Sequence, residues 1–72
     1  MTVRAIVAKN LRKLRNAQGV SQEELAARAD VDRNYVGKLE REENSATIDM
    51  LEKLAVALGV EVRAFFDPDG GS

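Results

Sequence analysis

The chain of 72 residues contains no cysteine and no histidine. Without cysteine, no disulfide braces so short a fold. Without either side chain a zinc site is disfavoured, because carboxylates alone rarely build one. A chain of this length makes one domain and buries a smaller share of its surface than a longer one, so its stability is marginal by default. Tight helix packing remains, with a partner subunit as a further resource. The lack of cysteine fits a reducing cytoplasm. No apolar run approaches the roughly 20 residues of a membrane span, and the first residues lack the apolar stretch of a signal peptide. The expectation is a soluble, cytoplasmic protein with no metal, no cofactor and no membrane partner. Catalysis is disfavoured too. General acid–base and thiol chemistry usually need histidine or cysteine, and no glycine-rich phosphate loop occurs. The scattered carboxylates read as solvated helix faces.

Net positive charge is also missing: the formal charge is −1. A nucleic-acid binder is ordinarily basic, so the distribution decides. Residues 1–20 carry Arg4, Lys9, Arg12, Lys13 and Arg15 with no acid. Residues 21–41 hold four basic and five acidic groups, and residues 42–72 set Lys53 and Arg63 against seven acids. The chain is basic in front and acidic behind. Such an asymmetry can turn one end toward phosphate; it is also what charged helix surfaces produce by themselves.

The apolar pattern is helical throughout. Val3, Ile6, Val7, Leu11 and Leu14 make one stripe of a first helix, stopped by Gly19. Ser21-Gln22-Glu23-Glu24 is a capping box that opens a second helix, with Leu25, Ala26 and Ala29 inside. That helix ends near Asp30. After a turn, Asp32 is expected to cap a third helix over about 33–40, with Tyr35, Val36 and Leu39 on its apolar side. Arg41 to Ala46 has no periodicity and reads as a loop. Thr47 caps a fourth helix whose buried stripe is Ile48, Leu51, Leu54, Ala55 and Leu58, stopped by Gly59. A short fifth segment carries Val62, Phe65 and Phe66 and ends at Pro68. The reading is an all-α, five-helix globule over 1–67 with a frayed tail over 68–72.

The run from Gly19 to Arg41, GVSQEELAARADVDRNYVGKLER, resembles the Cro/cI-like helix-turn-helix family, the lambda-repressor-like or xenobiotic-response-element proteins. The residues before it, Leu11-Arg12-Lys13-Leu14-Arg15, and after it, Leu54 to Val60, are similar to the same family. The resemblance implies a sequence-specific double-stranded DNA-binding transcriptional regulator, a repressor or activator, whose third helix enters the major groove. Arg33 would grip guanine O6 and N7, and Asn34 would pair with adenine. Gln22 and Lys38 would contact phosphate or base edges. Asn44 and Ser45 would donate to phosphate oxygens, as Thr47 also could. Tyr35 would pack its ring on the core edge and send its hydroxyl to a phosphate, or serve the core alone. Gly37, unusual inside a helix, would either let the backbone approach DNA or sit passively at the surface. Ala26, Val31, Val36 and Leu39 read as structural. The family pairs the acid at Glu40 with a first-helix arginine, here Arg15, and that pair would hold the third helix against the first. The family usually has glycine where this chain has Asp30 and Glu42, and proline at Ala46. Asp30 would then need a left-handed backbone.

A single recognition helix reads few base pairs, so a homodimer on a two-fold operator is expected. Met50, Val62, Phe65 and Phe66 are the candidate contact, with closure of the core as the equal alternative for the phenylalanines. No small-molecule effector is expected. Asp32-Arg33-Asn34-Tyr35 followed by Leu39-Glu40-Arg41 looks like the controller proteins of restriction–modification systems. The alternative reading is a protein-interaction module, such as an antitoxin or coactivator using the same fold, which the acidic back half favours.

Overall fold

The structure is a computed structural model that describes residues 2–68. The expected tail over Asp69 to Ser72 lies outside the described residues. Four α-helices follow one another: α1 (Val3–Ala17), α2 (Gln22–Ala29), α3 (Tyr35–Glu40) and α4 (Ile48–Leu58). The expected fifth helix is instead a 3-10 helix, Val62–Phe66. Only seven residues separate Val60 from Pro68, and the tighter 3-10 turn suits such short pieces. No strand occurs among the described residues.

The helix ends follow their side chains. Thr2, Ser21 and Thr47 each accept a hydrogen bond three residues on, from the backbone N–H of Ala5, Glu24 and Met50, at 3.1, 3.0 and 3.1 Å. Half of the expected capping box is absent, because the Glu24 carboxylate takes Arg28 one turn along instead of turning back to Ser21. α2 closes on Asp30 at φ 57°, ψ 49°, the left-handed conformation that the departure from glycine implied. Glu42 adopts φ 62° in the loop after α3. Asp32 does not cap α3. Its side chain accepts from the Asn34 N–H at 2.8 Å, and its carbonyl accepts from the Tyr35 N–H at 3.0 Å. Aspartate competes well for nearby backbone donors, so residues 32–34 form a turn and the helix begins at Tyr35.

The core is one cluster centred on Leu11, Leu25, Val36, Leu54 and Phe65, each fully buried. α2 packs on α3 and α4, while α1 packs on α3 and the 3-10 helix. Ala26 is 1% exposed, and beside Leu25 it places only a methyl group on the inner face of α2. Two residues of the expected stripes lie outside: Val3 is 62% and Ile48 80% exposed. Each is the first residue of its helix, so the stripe begins one turn before the core does. Phe65 is 0% exposed and belongs to the core, which removes it from the expected dimer surface.

Asn10 is buried among the apolar residues of α1. Its side-chain amide donates to the carbonyls of Phe65 and Asp67, both at 2.8 Å. This polar clamp ties the 3-10 helix to α1 and places Phe65 over the core. Gln18 plays a similar part at the other end of α1, donating to the carbonyl of Leu58 at 2.6 Å.

Candidate DNA-binding face

α3 is short, and six residues do not hold a helix together on propensity alone. Tertiary contacts hold it. Val36 and Leu39 are buried on its inner side, and Glu40, at 4% exposed, turns inward with them. The Glu40 carboxylate accepts from Arg15 Nε at 2.7 Å, Arg15 Nη2 at 3.0 Å and Gln22 Nε2 at 3.0 Å. Arg12 lies 3.6 Å away and donates to the Glu40 carbonyl at 3.0 Å. Arg15 also donates to the Val20 carbonyl at 2.8 Å. One buried carboxylate thus binds α1, the start of α2 and the end of α3 together. Burial pushes the Glu40 carboxyl up, but the hydrogen bonds from Arg15 and Gln22 and the charges of Arg15 and Arg12 outweigh it, holding the group below its usual range. The Glu40 hydrogen bond likewise holds Arg15 above its ordinary value, against the opposing effect of burial.

With its inner side fastened, the outer side of α3 and the turn before it face solvent. Arg33, Asn34 and Lys38 are all exposed. Asn34 stands at the N-cap position and makes no side-chain capping bond there. Arg33 lies in the turn before α3 rather than on it, 3.4 Å from the Glu23 carboxylate. Gln22 is half-buried and its amide is committed to Glu40, so it sits beside the exposed group as part of the scaffold.

Gly37 is buried, not presented to solvent. A Cβ there would meet Arg41 Nη1 at 3.0 Å and Gln22 Oε1 at 3.1 Å. The missing side chain makes room for those two tips, which lie over α3. Tyr35 packs its ring against the core. Burial raises its hydroxyl pKa, and a hydrogen bond with the Thr47 backbone opposes this. The ring sits on the core edge, as both expectations for Tyr35 require, and ties α3 to the start of α4. Asn44 and Ser45 lie in the loop between α3 and α4 and line a groove with Val3, Arg4, Leu39 and Phe66. In the same loop Glu43 is paired with Arg41 at 2.6 Å, and that hydrogen bond lowers its pKa.

Arg12 and Asn10 were missed as positioning residues. Arg12 is three residues from Arg15, so the two share a helix face, and that spacing was the available signal. For Asn10 the signal was a polar residue three places after Val7, in the register of the inner stripe.

Comparison with known proteins decides what this arrangement is. A profile of the helix-turn-helix family matches residues 11–65. The chain belongs to the helix-turn-helix family. Relatives include a Neisseria meningitidis protein named as a hypothetical transcription factor, 45% identical over 58 residues, which cover 81% of this chain and 55% of that protein. The chain therefore spans about half the length of that relative. The control protein C.SmaI of Serratia marcescens is 40% identical over 62 residues, covering 86% of this chain and 74% of the other. Among solved structures, the restriction–modification controller protein C.AhdI from Aeromonas hydrophila superposes with a TM-score of 0.84 at 41% identity, covering 88% of this chain and 96% of that one. α2, the connection over 30–34 and α3 all lie within the residues that the family profile matches.

Proposed function

We propose that this DNA-binding transcriptional regulator reads the major groove with the turn before α3 and the outer side of α3, as a two-fold dimer in the cytoplasm. One observation carries the reading. Arg33 and Asn34 in the turn before α3 and Lys38 on α3 are exposed, while the inner side of α3 is locked to α1 and α2 through Val36, Leu39 and Glu40. A reading head needs that division, because base contacts demand side chains presented from a rigid support. Arg33 takes guanine and Asn34 adenine. Lys38 and the exposed cations of α1 take phosphates, which supply affinity without sequence information.

The dimer contact is proposed on the apolar surface left at the back. Val56 on α4 is 77% exposed and Phe66 42% exposed, with half-buried Met50 and Val62 as the remaining members. Half-sites would then lie about one DNA turn apart. Similarity to C.SmaI and C.AhdI supports a role as a controller protein.

Selection of bound duplexes from a random library tests this. The expected result is a two-fold repeat whose half-sites change when Arg33→Ala is used. Affinity should fall with salt at a log–log slope of about 0.9 per phosphate neutralised. No enrichment would favour the interaction module to which the acidic balance of residues 42–72 points.

A further inference from the structure

We propose that Glu23 is a positioning residue that sets the base specificity of Arg33. The inference rests on the reading of Arg33 given above. Glu23 stands in the first turn of α2 and Arg33 in the turn before α3. Their side chains meet at 3.4 Å, Glu23 Oε1 to Arg33 Nη2, although 72% and 71% exposed. An ion pair so open to water contributes little to folding, so it has small value as a brace. Its effect is on where the guanidinium points. A free arginine has many rotamers and samples phosphates as readily as bases. The Glu23 carboxylate, 3.4 Å from Nη2, draws the guanidinium toward one side by charge, and its other N–H donors supply the two that a guanine needs.

The other polar groups nearby are differently engaged. Glu24 pairs with Arg28, Gln22 with Glu40, and the Asp32 side chain with the Asn34 backbone. Glu23 is therefore the acid of this face that holds the reading arginine. A carboxylate there also repels phosphate and so lowers affinity for all DNA by a common factor, which leaves the contrast between right and wrong sequences to the orientation of Arg33. Specificity is a difference of affinities, and a repulsion shared by every sequence cancels in it.

The test is library selection and salt-titrated binding with the full chain and with Glu23→Ala, Glu23→Gln, Arg33→Ala and the Glu23→Ala/Arg33→Ala double variant. Glu23→Ala should bind random-sequence duplex at least as tightly as the parent. Its discrimination at the base read by Arg33 should fall measurably, by up to about fivefold, the most that an exposed ion pair supplies. Glu23→Gln, which keeps the acceptor oxygen and loses the charge, should fall between. In the Arg33→Ala background, Glu23→Ala should change the sequence profile no further. Thermal melts of the same variants should differ little, since both side chains are exposed.

Three results would overturn the inference. Glu23→Ala could tighten every sequence by one common factor and leave the profile unchanged. It could weaken all sequences alike. Or its effect on the profile could persist in full without Arg33. A parent chain that enriches no sequence is a separate failure, which removes the DNA-reading proposal itself and Glu23 with it.

Discussion

Removing the Glu40 carboxylate strikes the contact that joins three helices. Its side chain is 1% exposed and Arg15, its main partner, 13%. Glu40→Ala withdraws the acceptor for both Arg15 bonds and for the Gln22 amide. Arg15 keeps its bond to the Val20 carbonyl but is left a nearly buried cation without a counter-charge. Arg12 is half exposed and rehydrates. Breaking one side of a buried ion pair costs about 3–5 kcal/mol. At roughly 0.05–0.15 kcal/mol per residue, a chain this size has about 4–11 kcal/mol in total. One substitution thus takes a large fraction of the stability. At about 4–8 °C per kcal/mol for a small domain, the melting temperature should drop by at least about 12 °C.

Circular dichroism melts and urea titrations would measure it. The pH dependence has a definite sign. The folded pKa of Glu40 is depressed, so its contribution is complete above the unfolded value of about 4.3. The contribution is lost as pH falls through the lower folded value. The stability gap between the parent and Glu40→Gln should be constant near neutral pH and close in acid. A Glu40→Ala melting temperature within about 2 °C of the parent, or a gap that widens in acid, would refute the reasoning; the first limit is less than 1 kcal/mol.

Three further outcomes are expected. Asp30→Gly and Glu42→Gly should each raise the melting temperature, since both residues have φ near +60° and a left-handed conformation costs a side chain of order 1 kcal/mol; a lower value for either would contradict its backbone assignment. Asn10→Ala should lose about 1–3 kcal/mol, because the buried carbonyl of Phe65 is left without its side-chain donor, and amide exchange should rise first in the 3-10 helix. Val56→Asp and Phe66→Asp should shift a dimer toward monomer in sedimentation with the fold intact, whereas Phe65→Ala should unfold the chain by about 3–5 kcal/mol of lost packing; a parent that stays monomeric at high concentration would remove the dimer proposal.

Local chemistry made much of the architecture legible. Ser21 and Thr47 cap helices because a hydroxyl three residues ahead of an N–H satisfies it wherever the helix starts. Leu11, Leu25, Leu51, Leu54 and Leu58 are buried because their spacing puts them on one side of each helix. Less legible was where a helix begins when two local solutions compete. Asp32 carries a capping side chain, yet it closes a tighter turn and moves the start of α3 to Tyr35. Equally hidden was which apolar residue lies inside at the chain's edge. Phe65 and Phe66 are adjacent and identical, yet one is in the core and the other at the surface, on a segment that the Asn10 clamp fastens to α1.

The sequence by itself determined the all-helical class, the positions of the caps and the family resemblance in residues 19–41, since each depends on residues within a few places of one another. Tertiary structure decided the state of α3. Six residues form a stable helix because Glu40 reaches arginines 25 and 28 places earlier in the chain, and because the space at Gly37 admits Gln22 and Arg41. It also decided that Arg33 faces solvent beside Glu23. Those distances join segments remote along the chain, and no periodicity in a window of local residues encodes them.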